Sequence, residues 1–249
     1  MSAVPDVDGS VRGSRPPGSR LKASIIVNNW NYANYLGQAI DSALDQTRPA
    51  DEVIVVDDGS TDGSRAIIAT YGDRVIPVLQ ANGGQAAAFE SGFRRSSGDI
   101  IVFLDADDVL LPEMLETILA AWDQSYAAIC WGLEMIDTEG RPVGNYPSFP
   151  EDVDHWPVMA EIAGFDFKPT SGNAFSRGTV ETALPFPTGR WRISADAYLL
   201  RVAALAGRIR PLQQNLGCYR IHSANNYHRI GSSDVWVERR ALLDSGGSR

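Results

Sequence analysis

From Ser24 to Asp108, short β-branched apolar runs alternate with stretches of helical periodicity, and this alternation restricts the fold more than any other feature of the chain. The runs are SIIVNN, DEVIVVDD, RVIPVLQ and DIIVFLDADD; between them lie YANYLGQAIDSALDQ, DGSRAIIATYG and GGQAAAFESGFRRSSG. Runs that are apolar almost throughout suit strands buried on both faces of a parallel sheet. Tyr35, Leu36, Ala39, Ile40, Ala43 and Leu44 recur at helical spacing and form one stripe. Strands alternating with helices predict right-handed βαβ units in a doubly wound α/β sheet, in which ligands sit beyond the carboxyl ends of the strands. The polar clusters fall at those ends: Asn28 to Asn31, Asp57 to Ser60, and Asp105 to Asp108.

Beyond residue 109 the alternation loosens into α+β elements added to one end of the sheet. A helix is expected near Pro112 (PEMLETILAAWDQS), since proline costs little in a first turn. Another is expected over DAYLLRVAALAG, followed by the apolar-to-polar run LGCYRIHSANN. Residues 1–20 and 233–249 read as flexible tails, being rich in small and polar residues. They flank a first half (21–108) and a second half (109–232) fused in one domain.

Composition removes several function classes. A formal net charge of -9 leaves no basic footprint for nucleic acid. No apolar run reaches the roughly 18 residues that span a bilayer, and the N-terminus lacks the apolar middle of a signal peptide. The two cysteines, Cys130 and Cys218, match no zinc spacing and read as buried thiols. A cytoplasmic protein is expected, with room for peripheral attachment at the inner face of a membrane.

In IIVFLDADDVLLPEML, Asp105, Asp107 and Asp108 crowd one strand end, where they repel unless something positive neutralises them. A Walker-type ATPase would need a glycine-rich loop ending in Gly-Lys, and neither Lys22 nor Lys168 follows one. A calcium loop would need glycine where Leu110 stands. DADDV also matches the haloacid-dehalogenase phosphatase signature, but it follows the fourth strand where that family places it after the first. That phosphatase stays as a competing reading, and a solvated acidic turn is the plain one; the favoured reading is a site for a hard divalent cation, Mg²⁺ or Mn²⁺, held by Asp105 and Asp107 to neutralise a diphosphate. Asp108 reads equally well as a solvated helix cap. At the other strand ends, Asn28 offers polar contact and Asp57 can accept hydrogen bonds from a base. Trp30 offers either an aromatic face or core.

Together, SIIVNNWNYANYLGQAIDSALDQTRPADEVIVVDDGSTDGS and NGGQAAAFESGFRRSSGDIIVFLDADDVLLPEML resemble the family 2 glycosyltransferases. The resemblance covers residues 22 to 116 with every block in order and resumes at 170 to 226. It implies the GT-A (Rossmann-like) fold and inverting transfer of a sugar from a nucleotide diphosphate, a UDP-sugar by family analogy. The acceptor would be a hydroxyl on a glycan, a lipid-linked molecule or a small molecule. It places Asn28, Trp30 and Asp57 at the nucleoside, Asp105 by the ribose, and Asp107 on the metal. The family's asparagine near the third helix is absent from AFES, and Gln85 stands in as a replacement.

Inverting transfer needs a carboxylate to deprotonate the acceptor. The resemblance puts that base at Asp196 of SADAYLL, although the acidic residue preceding it in the family is missing here. In LGCYRIHSANN, His222 is implied as a third metal ligand or diphosphate contact, and Arg220 as a phosphate partner. Gly172 and Asn173 fall on the acceptor side, with Trp156 to Pro169 as a pocket wall or lid. A non-catalytic nucleotide-sugar-binding module is the competing reading; a sugar-phosphate nucleotidyltransferase would need a Gly-rich, basic loop where NNWNYAN stands.

Overall fold

The computed structural model describes residues 20–146, 169–223 and 225. Residues 1–19 of the first tail, the whole of the second, the Trp156 to Lys168 part of the expected lid, His155 and His228 lie outside the described residues.

The expected alternation is present. Strands β1 (Ala23–Asn29), β2 (Glu52–Asp58), β3 (Ile76–Gln80) and β4 (Ile100–Asp105) alternate with helices α1 (Ala33–Leu44), α2 (Ser64–Thr70) and α3 (Gln85–Arg95). After them come β5 (Val109–Leu110), α4 (Met114–Ala121), β6 (Tyr126–Ile136) and β7 (Pro142–Asn145). A 3-10 turn (Thr170–Gly172) leads into β8 (Asn173–Ser176), α5 (Arg177–Ala183), α6 (Ala195–Ala206) and β9 (Arg208–Arg220). The nine strands of the described residues form one sheet in the order β3-β2-β1-β4-β8-β6-β9-β5, with β7 beside β6. β1, β2, β3 and β4 pair in parallel; β4–β8 and β6–β8 pair antiparallel.

Alternate side chains of the central strands feed two cores. Ile25, Val27, Val55 and Val102 pack with Leu36, Ile40, Ile68, Met114 and Ile118 on the α1, α2 and α4 face. Ile26, Val56 and Phe103 pack with Phe89, Phe93, Val180 and Leu199 on the α3, α5 and α6 face. Both faces are covered, which is why the strands read as nearly unbroken apolar runs; each fully buried Ile or Phe contributes about 1.5–3 kcal/mol. Helix α3 approaches the sheet closely at Gly92, where a Cβ would stand 3.0 Å from Val56 Cγ2.

The helix expected from Pro112 starts two residues later, at Met114, because Leu111 closes a turn first by accepting the Met114 N–H at 3.0 Å. Among the described residues no helix is long and apolar enough to cross a membrane.

The parallel order 3-2-1-4 reverses direction between β1 and β4. The crevice of a doubly wound sheet opens at that point, and Asn28 and Asp105 are register partners there.

Candidate active site

Four segments converge on the β1/β4 strand ends. Asn28 Nδ2 donates to Asp105 Oδ1, in a contact shorter than an ordinary hydrogen bond. Gln85 Nε2, from the start of α3, donates to the same oxygen at 3.3 Å and to Thr170 Oγ1 at 3.1 Å. The Asp105 N–H donates to Ser171 Oγ at 3.1 Å. Burial first, and then the charge of Asp107, push Asp105 up to about 7 against the hydrogen bond from Asn28.

The rest of the acidic turn is held from the far end of the chain. His222 Nε2 lies 2.9 Å from Asp107 Oδ2, and Asn225 Nδ2 donates to that oxygen at 3.4 Å. Asp108, the residue that could have been a solvated cap, is buried. It accepts the Ser171 hydroxyl at 2.6 Å and the Arg220 N–H at 2.9 Å. Burial, then Asp107 and Asp105, raise its pKa well above the ordinary carboxylate value.

Arg220 corrects the phosphate-partner expectation. It is buried, and its Nε and Nη1 donate to the carbonyls of Asp107 and Asp137 at 2.9 and 3.0 Å, while Nη2 donates to Gln38 Oε1 at 2.5 Å. Its guanidinium lies over the Tyr35 ring at 4.9 Å, and His222 stacks on the same ring at 5.2 Å. The planar fork braces the backbone under the acidic turn.

The two aspartates ending β2 do different work. Asp57 is fully buried: Oδ1 accepts from Asn29 Nδ2 at 3.0 Å, and Oδ2 from Arg65 Nε at 2.7 Å. Burial alone would raise its pKa, but hydrogen bonds from Ser60, Arg65 and Asn29 outweigh it and hold the carboxyl below its ordinary value. The structure presents Asp57 as an anchor for Arg65. Asp58 accepts the Gly83 and Gly84 N–H groups at 2.8 and 2.7 Å, fixing the turn before α3. That turn requires glycine at position 84: φ is 86°, and a Cβ would meet the Arg192 carbonyl at 2.6 Å. Trp30 is 53% exposed, so it is not a core residue.

Asp196 is buried in the first turn of α6, behind Ser194 in the left-handed region (φ 65°). Burial pushes its carboxyl up to about 6, opposed by hydrogen bonds from Ala197 and from the hydroxyl and N–H of Thr170. Thr170 also favours the ionised form of Asp105, and its hydroxyl accepts from Gln85 Nε2 at 3.1 Å. Gly172 and Asn173 are buried where the 3-10 turn enters β8.

Sequence reasoning missed Thr170, Ser171, Asn225 and Tyr32. Tyr32 lies near the acidic turn; burial and then Asp107, Asp105 and Asp108 hold its hydroxyl protonated. Their only signal was position, in PTSGN, HSANN and NNWNYAN beside residues already singled out.

The expected three-ligand cation set is not assembled. Among the described residues no three His, Cys, Asp or Glu side chains could together hold a metal ion. Asp105 Oδ1 is taken up by Asn28 and Gln85, while Asp107 Oδ2 meets His222. That pair fits a divalent cation chemically: a carboxylate oxygen and an imidazole nitrogen already converge, in a turn where the charge of Asp107 raises the pKa of both Asp105 and Asp108.

A parallel sheet whose switch point carries an acidic turn, flanked by a buried carboxylate on a helix start, matches the GT-A fold. TarS from S. aureus, solved with UDP-GlcNAc, superposes with a TM-score of 0.67 at 22% identity, covering 84% of this chain and 61% of that one. The mannosyltransferase PcManGT from Pyrobaculum calidifontis, solved with GDP-Man and Mn²⁺, superposes at 0.61 with 20% identity, covering 88% of this chain and 62% of that one. The sequence pattern of "Glycosyl transferase family 2" matches residues 24–176. An uncharacterized glycosyltransferase of Nostoc sp. is 38% identical over 235 residues, covering 91% of this chain and 72% of its own. The chain belongs to glycosyl transferase family 2. It also matches glycosyltransferase GlyA of Streptococcus pneumoniae at 29% identity over 92% of its own length, spanning 34% of that protein.

Proposed function

We propose that this glycosyltransferase moves a sugar from a nucleotide diphosphate donor, a UDP-sugar, to a hydroxyl acceptor with inversion, Asp196 acting as general base. The observation that carries the reading is the junction at Gln85. Its amide donates to Asp105 Oδ1, at the donor end of β4, at 3.3 Å and accepts the N–H of Ala195, next to Asp196 at the start of α6, at 2.8 Å.

In this reading Trp30 offers its face to the base, and Asn28 and Asp105 hold the nucleoside, with Asp57 and Arg65 behind them. Asp107 and His222 would hold a divalent cation, which when bound neutralises the donor diphosphate. Asp196 accepts the proton of the acceptor hydroxyl as that oxygen bonds to the anomeric carbon. The bond from that carbon to the diphosphate oxygen breaks, and its electron pair leaves with the nucleoside diphosphate. A carboxyl displaced to about 6 by burial is a stronger base than an ordinary aspartate and remains largely ionised at neutral pH. The UDP-GlcNAc bound by TarS, and the GDP-Man with Mn²⁺ bound by PcManGT, are in keeping with this donor class.

One observation keeps the binding-module reading in view: Ala195, not a carboxylate, precedes Asp196. The test is a thermal-shift screen of UDP- and GDP-sugars with and without Mn²⁺, followed by UDP or GDP release with the best donor. Stabilisation and release that both require Mn²⁺, with release lost in Asp196→Asn, support transfer. Stabilisation without release under any acceptor mixture favours a binding module. No stabilisation by any nucleotide overturns both.

A further inference from the structure

Gln85 contacts three separate elements through one amide. Nε2 donates to Asp105 Oδ1 at the end of β4 and to Thr170 Oγ1 in the 3-10 turn, at 3.3 and 3.1 Å. Oε1 accepts the Ala195 N–H at the start of α6, at 2.8 Å. Its backbone N–H reaches the same approach to α6, donating to the Arg192 carbonyl at 2.8 Å. The Ala195 N–H dictates which way the amide points, because a backbone N–H only donates and so must meet Oε1, leaving Nε2 to face Asp105 and Thr170. A side chain at this position must accept at one end and donate at the other.

Few side chains meet that requirement. Glutamate would still receive the Ala195 N–H but would set a new negative charge against Asp105. Lysine and arginine have nothing with which to accept from Ala195. Asparagine is one methylene shorter, so its amide could not span the same three partners.

We propose that Gln85 is a positioning residue that ties the donor-side carboxylate Asp105 to the start of the base-bearing helix, fixing where Asp196 points. The proposal rests on the reading of Asp196 as the base. Gln85 acts on Asp196 through its neighbours: Ala195 is adjacent in the chain, and the Thr170 hydroxyl that Gln85 contacts engages Asp196 directly. Misplacement of a catalytic group by about 1 Å can cost on the order of 100-fold in rate, so an amide that clamps the helix start has leverage on turnover without touching the reacting atoms. This differs from a nucleotide contact at Gln85, for which donor affinity would be the property affected.

The test uses the full chain with Mn²⁺ and the UDP-sugar giving the largest thermal shift. Turnover number and donor KM for UDP release are measured across about pH 5 to 8 for wild type, Gln85→Glu, Gln85→Asn and Gln85→Ala. The expected result for Gln85→Glu is a turnover number about tenfold lower or less, a donor KM within about twofold of wild type, and an acid limb moved to higher pH. Gln85→Asn should fail to restore the rate. In parallel, NMR follows the carboxyl carbon of Asp196 through its titration, which needs no turnover; Gln85→Glu should move its midpoint upward.

A raised donor KM with unchanged turnover number would make Gln85 a donor contact and overturn the proposal. So would an unmoved Asp196 titration in Gln85→Glu, or a fall in melting temperature and rate with no displacement of the acid limb. Asp196→Asn separates the two levels. If it keeps wild-type turnover, the base assignment fails by itself, whatever the Gln85 variants do.

Discussion

His222 Nε2 and Asp107 Oδ2 stand 2.9 Å apart although 115 residues separate them in the chain. The contact closes the acidic turn from the C-terminal side, and Tyr35 packs against the imidazole. His222→Ala is expected to lower UDP release about 10- to 100-fold and to weaken the Mn²⁺-dependent thermal shift. Asp107→Asn should do the same more severely, and chelation with EDTA should reproduce both in the wild type. Full activity of either variant in EDTA would remove the metal from the proposal.

Asp196→Asn is expected to reduce turnover by about 10²- to 10⁴-fold, and wild-type turnover should fall as pH drops through about 6. Stability carries the opposite sign. The folded carboxyl keeps its proton up to about 6, while an ordinary one releases it near 3.8. Between those values the folded state binds more protons, so the contribution of this group is complete at low pH and is lost as pH rises through about 6. Asp196→Asn should therefore melt a few degrees above wild type at pH 8, with the gap narrowing below about pH 4. Calorimetry at the two pH values checks it.

Arg220→Met is expected to destabilise by about 2–4 kcal/mol, because the carbonyls of Asp107 and Asp137 lose a buried charged donor. Arg220→Lys should recover only part, since one ammonium cannot reach in three directions. Urea midpoints at constant slope measure both. A variant as stable as wild type would show that the brace under the acidic turn is dispensable.

Trp30→Ala is expected to raise donor KM about 5- to 50-fold, in keeping with base–aromatic stacking of about 1–2 kcal/mol. The melting temperature should hardly change, because the indole is exposed. Trp30→Phe should retain most of the affinity. A large loss of stability instead would mean the indole packs against the protein.

The strand and helix alternation was legible because both faces of the parallel strands are covered, and burial leaves a direct mark on composition. Asn28, Asp105 and Asp107 were legible as strand-end residues for the same reason. Arg220 was misplaced because sequence shows its charge but not its direction. Its partners, Gln38, Asp107 and Asp137, lie 182, 113 and 83 residues away. Asp57 and Asp58 looked equivalent in VVDDGS, yet one anchors Arg65 and the other the Gly83–Gly84 turn. Alternation along β2 turns neighbouring side chains to opposite faces, and only the tertiary neighbours reveal what each meets. Thr170 carries no pattern at all; it matters because a 3-10 turn happens to deliver it between two carboxylates.

The acidic turn precedes residue 109, but Arg220, His222 and Asn225 hold it in place. During synthesis the β1 to β4 sheet can pair as it emerges, while Asp107 and Asp108 wait for a strand more than a hundred residues downstream. Closing so long a loop is entropically costly and comes late. The acidic turn is thus among the last parts of the molecule to be fixed: a nascent chain halted before β9 would hold Asp105 through Asn28 and Gln85 but leave Asp107 without His222 and Asn225. Pulse proteolysis of stalled chains would show this as cleavage near residue 108 that disappears once residue 225 has been added.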